Sequence, residues 1–360
     1  MAAVQTAPPE PKSLLVDMVK AATPKKKLVR RLDRDYSQRL RAAVQFAFVA
    51  LNLFLGVEFY RFVRFYELAG IGPAPTRPAG AEGFLPIAGL MSLKAALLTG
   101  HIPGFHPAGM FLLVAFVTMS FVFRKAFCSW LCPVGTLSEY LWKLGRKMIG
   151  HTLRVPRKLD IPLRALKYLL LGFFLYAVYN MSSSDINGFL QSPYGLIADV
   201  KMLNFFRHLG GTGLIVIGVL VLLSLIIQNF WCRYLCPYGA LMGFASLLSP
   251  LRITRNAESC IDCAKCAKAC PSHLPVDQLV TIKSAECTGC LECVAVCPAE
   301  KTLFLAAPRK HAVPAWAVAA GIAAIFLGTV GYAKLTHRWN SDIPAQVYRY
   351  LIPNADEATH

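Results

Sequence analysis

The chain has 360 residues, 55% apolar and 16% charged, with a mean hydropathy of +0.47. That balance excludes an all-soluble chain of two or three globular domains and predicts a protein most of whose length lies in a bilayer. The formal charge of +18, from 38 Lys and Arg against 20 Asp and Glu, fits either a nucleic-acid binder or a membrane protein with basic loops, and the placement of the charges decides between them.

Residues 1–40 carry Lys25, Lys26, Lys27, Arg30 and Arg31 together with Pro8, Pro9, Pro11 and Pro24. They read as a flexible cytoplasmic tail, up to about residue 35 without regular structure, whose charge tethers it to anionic lipid. The apolar run behind them is long and has no small-residue cleavage site, so it reads as an anchor. Runs near the roughly 20 residues needed to cross about 30 Å of hydrocarbon occur at 42–60, 108–127, 163–181, 211–230 and 313–333. The fold class they predict is an α-helical integral membrane protein with five spans.

Residues 70–80 (GIGPAPTRPAG) read as a spacer without chemistry. The stretch 84–99 is short, starts with Pro86 near its head and carries Lys94 at its middle, and reads as a re-entrant or interfacial helix. Lys94 is expected to face the bundle, snorkel, or pair with Glu58 or Glu82. With five spans, 29 of the 38 basic residues fall on one side, whereas a sixth span would largely erase that asymmetry. The excess marks the inner side, with the N-terminus inside and the C-terminus outside, in a bacterial inner membrane. Because the surplus follows topology and not one patch, nucleic acid is excluded as a partner.

All twelve Cys sit in four tight groups, a metal-ligand pattern and not a disulfide one. Residues 260–271 (CIDCAKCAKACP) and 287–298 (CTGCLECVAVCP) both follow C-x2-C-x2-C-x3-C-P. In that spacing three thiolates curl around one [4Fe-4S] cluster and the fourth, released past a Pro, reaches the neighbouring one. Cys260, Cys263, Cys266 and Cys297 are expected to hold one cluster, and Cys287, Cys290, Cys293 and Cys270 the other. Two zinc ribbons are the alternative, but they leave the third Cys and the C-P endings unexplained. Lys265 and Lys268 lie between ligands and read as solvated lysines or as charges that raise a cluster potential. Residues 251–307 resemble a two-cluster ferredoxin, which implies a compact α+β unit with a pseudo-two-fold axis.

The other Cys form an internal repeat: FCSWLCPVGTL around Cys128 and Cys132, and WCRYLCPYGAL around Cys232 and Cys236. Cys128 to Cys232 and Cys132 to Cys236 both span 104 residues, and Pro133/Pro237 and Gly135/Gly239 keep the same step. Each pair closes a span at the inner face, sharing one helical face if the helix persists. Three readings compete: a third iron–sulfur centre, redox-active thiols or a Cu(I) site, and plain buried cysteines.

With these motifs the chain resembles the membrane polyferredoxins of the NapH, NosR and YccM type over roughly residues 40–335. The resemblance implies electron transfer between the quinone pool or a cytoplasmic donor and a redox protein partner at or beyond the membrane. Copper-reducing factors of oxidase assembly share the C-x3-C-P layout, so a thiol-dependent metal reductase or an assembly factor is the alternative function. No residue has the pattern of an acid–base or nucleophilic catalyst; whether the chain is an enzyme turns on a quinone site, for which His101 and His106 are the candidates. The expected organisation is a tail (1–40), a membrane bundle (41–250), a ferredoxin domain (251–310), a last span (311–335) and an outer tail (336–360).

Overall fold

The computed structural model describes residues 29–31, 35–308 and 311–358; the rest of the basic N-terminal tail lies outside them. The helices that fall in the predicted apolar runs are α1 (Ser37–Glu67), α3 (Pro107–Val122), α5 (Arg157–Asn180), α9 (Gly211–Ile226) and α13 (Ala315–Leu335). Three of them, with 31, 24 and 21 residues for α1, α5 and α13, are long and apolar enough to cross a bilayer. The 16 residues each of α3 and α9 reach only about 24 Å at 1.5 Å per residue. α8 (Ala198–Arg207) and α9 pass the length test together but are bent by 82°.

The runs predicted at 108–127 and 211–230 are thus shorter as α-helix than as apolar sequence. α3 ends at Val122 and α9 at Ile226, and after four residues a separate π turn follows each, at Phe127–Leu131 and at Trp231–Leu235. α3 compensates for its length by position: α2 (Pro86–Thr99), α13 and α10 (Pro237–Leu247) pack around it, and 11 of its residues are buried. Elsewhere the apolar side chains point outward, as with Phe54 and Val57 of α1, Phe173 of α5, Ile215 of α9 and Leu327 of α13, giving the exposed belt of a lipid-facing surface.

α2 is a 14-residue helix that starts with Pro86 at its first turn and ends on Gly100 in the left-handed region. Like α3, it is shorter than the helices long enough to cross a bilayer. Lys94, at its middle, pairs with neither Glu58 nor Glu82. Its Nζ donates to the carbonyls of Val178 (3.0 Å), Tyr179 (2.7 Å) and Met181 (2.6 Å) at the C-terminal end of α5, where orphan carbonyls and the helix dipole draw a cation.

At the opposite end lie α4 (Pro133–Ile149), α10 and a small α+β unit in which β1 (Arg252–Arg255) pairs antiparallel with β2 (Leu303–Ala306) in the register Arg252↔Ala306. Two short helices, α11 (Lys265–Ala269) and α12 (Glu292–Ala295), follow the left-handed residues Ala264 and Leu291, 27 positions apart like the cysteine motifs, which is the expected pseudo-symmetry. One apolar core runs from Leu112, Phe116 and Met119 of α3 through Phe127 and Trp130 into Ile253, Ile282 and Leu303, so the small unit is docked on the helices and not merely tethered. Residues 29–31 are tied to it as well: Arg31 N donates to Pro298 O (2.9 Å) and Glu300 N to Val29 O (3.0 Å). That part of the tail, expected to lack structure, extends the small domain.

Candidate metal centres

The structure brings the ferredoxin-motif cysteines together in two quartets. One small cavity is lined by Cys260, Cys263, Cys266 and Cys297, a second by Cys270, Cys287, Cys290 and Cys293. The left-handed residues inside each motif, Asp262 and Ala264, then Gly289 and Leu291, curl the backbone around these cavities. Cys263 is exposed, whereas Cys260, Cys270 and Cys293 are buried, so the first quartet reaches solvent through Cys263. Lys265 and Lys268 are exposed, as solvated lysines are.

The paired cysteines meet at the end of the bundle that carries the small α+β unit. Cys128, Cys132, Cys232 and Cys236 line one end of a cavity of about 990 Å3, beside Lys125, Asn229, Tyr238, Glu286 and Cys290. The helix does not persist through either pair. Cys132 N reaches back to Phe127 O (2.9 Å) and Cys236 N to Trp231 O (3.0 Å), five residues earlier, which closes the π turns. Pro133 and Pro237, lacking an N–H, then start new helices, and the second Cys of each pair becomes the helix cap. Cys132 Sγ accepts from Gly135 N (3.4 Å) and Cys236 Sγ from Gly239 N (3.2 Å). Burial pushes the Cys128 thiol up to about 11 and the Cys132 thiol to about 12. Thiols so placed stay protonated unless a metal centre takes the charge.

Two bonds join the paired motifs to the ferredoxin unit. Ser129 Oγ donates to Thr288 O (2.6 Å) and Trp130 Nε1 to Gly289 O (3.2 Å), so the residues inside Cys128-x3-Cys132 sit on those inside Cys287-x2-Cys290. The second motif is held differently: Arg233 and Tyr234 bind Asp160 of α5 at 2.9 and 2.7 Å. Around both runs a shell of ions that sequence reasoning missed. Arg41 makes two bonds to Glu139 (2.8 and 2.6 Å) and one to Glu292 (3.0 Å), and Lys167 binds both oxygens of Glu286 at 2.7 Å. Burial works to raise the Glu139 carboxyl, but Arg41 and Lys143 hold it below the usual carboxylate range. The available signal was ionisable residues within or bordering apolar runs, where a charge needs a partner.

His101 and His106 are not brought together, and neither lines the large cavity. His101 is exposed. His106 is fully buried, with Nε2 at 2.8 Å from Gly195 O and Nδ1 at 3.4 Å from Glu82. Arg77, from the stretch read as a spacer without chemistry, binds Glu82 (2.7 Å) and Asp199 (2.6 Å) in the same cluster. It ties the segment ahead of α2 to α8, where Asp199 is one of its anchors.

The donor sets fit iron–sulfur clusters, since each quartet offers four sulfurs and no other ligand type. Among the described residues no three His, Cys, Asp or Glu side chains converge as they would on a single ion; the thiols line cavity walls instead.

Comparison with known proteins agrees. Residues 105–150 and 209–256 match the 4Fe-4S binding domain family, and residues 252–309 the 4Fe-4S dicluster domain family. The chain is 51% identical to the putative electron transport protein YccM of Escherichia coli (strain K12), over 89% of this chain and 91% of that protein. It belongs to the membrane polyferredoxin family of YccM. Similarity extends to the ferredoxin-type protein NapH of the same organism, 24% identical over 51% of this chain and 59% of NapH, and to the regulatory protein NosR of Pseudomonas aeruginosa, 31% identical over 45% of this chain and 22% of NosR. No solved structure matches. The polyferredoxin is therefore an electron-transport protein with [4Fe-4S] ferredoxin-type domains and apolar helices long enough to cross a membrane.

Proposed function

We propose that this polyferredoxin is an inner-membrane relay that moves single electrons through three centres: one at Cys260, Cys263, Cys266 and Cys297, one at Cys287, Cys290, Cys293 and Cys270, and a third at Cys128, Cys132, Cys232 and Cys236. The observation that carries it is the pair of bonds from Ser129 and Trp130 to Thr288 and Gly289, which seat one cysteine loop on another. When bound, the clusters supply one-electron chemistry.

The chain's own residues arrange the rest. Exposed Cys263 marks the end open to a cytoplasmic donor or partner, and Cys290, lining the large cavity, marks the end that meets the paired thiols. Phe116, Trp130 and Leu131 keep water from that junction. Farther out the cavity is walled by Leu51, Leu55, Phe326 and Val330, an apolar slot suited to the tail of a quinol.

For topology, α1, α3, α5, α9 and α13 are taken as five crossings, with α2 re-entrant and the boundaries of the membrane bundle at 41–250 and the ferredoxin domain at 251–310. The hydrogen bonds of residues 29–31 to the ferredoxin unit support one shared inner face for the tail and the cysteines.

Anaerobic EPR with iron counting on the wild type and on Cys128→Ser and Cys232→Ser tests the reading. About twelve iron atoms, with one signal lost in either variant while two persist, is the expected result. About eight iron atoms and no change in EPR would leave the paired cysteines as thiols or a copper-handling site.

A further inference from the structure

Lys125 lines the large cavity beside the four paired cysteines and is 4% exposed; its carbonyl accepts from Cys128 N (3.2 Å), while its ammonium has no hydrogen bond or ion pair among the described residues. The other cations nearby hold protein oxygens, although the Arg124 Nε is left without a partner. Lys167 grips Glu286, Arg124 holds the carbonyls of Ser246 (3.0 Å) and Ser284 (2.6 Å), and Arg233 holds Asp160. Glu286, on the same cavity wall, is bound by Lys167 and by Tyr168 Oη at 2.9 Å and also feels the Lys125 charge, so two ammonium groups share one carboxylate and a net positive charge remains beside the cysteines.

The internal repeat breaks at Lys125. The residue 104 positions on is Asn229, which lines the same cavity without a charge.

We infer that Lys125 is the counter-charge of an anionic iron–sulfur centre held by Cys128, Cys132, Cys232 and Cys236. This rests on the three-centre reading above. Four thiolates outweigh the positive iron–sulfide core, so such a centre is anionic and gains a further negative charge on reduction. Gly135 N and Gly239 N, at the starts of α4 and α10, offer it partial positive charge, and Lys125 a full charge on the wall of the same cavity. A cation there favours the reduced form and raises the potential. Lys125 is a positioning and tuning residue, not a ligand.

The test is an EPR-monitored redox titration, with iron counting, of the full-length protein as wild type, Lys125→Met and Lys125→Arg. Lys125→Met is expected to move the midpoint of the third signal to more negative potential while the two ferredoxin midpoints stay in place, and Lys125→Arg to return it towards wild type. Loss of the third centre's iron in Lys125→Met but not in Lys125→Arg also supports the assignment, since charge alone separates the two. An unmoved third midpoint in Lys125→Met at full iron content overturns it, as does equal iron loss in both variants. About eight iron atoms in the wild type instead defeats the three-centre reading itself, and the Lys125 assignment with it.

Discussion

Gly135 and Gly239 occupy equivalent places in the repeat, yet a methyl group would meet different surroundings at each. A Cβ on Gly135 would lie 2.4 Å from the Cys128 carbonyl oxygen, while on Gly239 its nearest neighbours are at 3.6 Å. Gly135→Ala should therefore cost about 1–3 kcal/mol and displace the first thiol pair, and Gly239→Ala should be neutral or slightly stabilising. Thermal melts of the detergent-solubilised protein check this, and equal damage by both would refute the steric argument. The cysteines themselves were legible in sequence because cluster chemistry dictates their spacing, whereas the difference between two equivalent glycines depends on how closely backbones approach. A second residue-scale prediction concerns His273, whose Nε2 is 2.7 Å from Gln228 Oε1 and whose pKa is pushed down, by burial first and then by Arg233 and Arg154, to about 4. It stays neutral when folded while the unfolded chain takes up a proton near pH 6.5, so its contribution to stability is complete above about 6.5 and is lost as pH falls towards 4. His273→Gln should flatten the fall in melting temperature across that window.

At the scale of elements, Arg41 joins three pieces that are far apart in sequence: its own α1, Glu139 of α4 and Glu292 of α12. Its side chain is 4% exposed and that of Glu139 10%, so neither charge is solvated well enough to lose its partner cheaply. Arg41→Met should cost about 3–5 kcal/mol, the usual penalty for orphaning one member of a buried pair, and Arg41→Met with Glu139→Gln much less. Thermal unfolding of the four proteins closes that cycle; a double variant no better than the single would mean that packing and not charge is what Arg41 contributes. The elements also show where sequence reading stops. Each predicted apolar run contains a helix, three of them long enough to cross a bilayer, but the length of a run does not reveal where backbone hydrogen bonding changes register, so the π turns that follow α3 and α9 went unseen. Arg77 escaped because a Pro/Gly-rich segment looks like spacer until its one guanidinium is found between Glu82 and Asp199.

At the scale of the whole molecule, the ferredoxin unit has two four-residue strands and two helices of five and four residues. Backbone hydrogen bonds of that extent do not hold a domain together, and two of its cysteines, Cys270 and Cys293, belong to the same apolar core as α3 and α13. Iron removal should therefore act on this unit first, because metal binding there supplies folding free energy. After chelation at neutral pH, trypsin is expected to cut at exposed Lys265 and Lys268 at least ten times faster than in the iron-loaded protein, while far-UV helicity falls only slightly because the long helices stay packed through Leu112, Phe116 and Ile322. The Ser129 and Trp130 bonds to Thr288 and Gly289 would then lose their acceptors' geometry, and the Trp130 fluorescence would shift towards that of a wet indole. Unchanged cleavage rates after complete iron loss would mean that the domain's packing against the helices, and not its clusters, maintains its shape, and the junction between the two cysteine systems would be a rigid feature of the polypeptide alone.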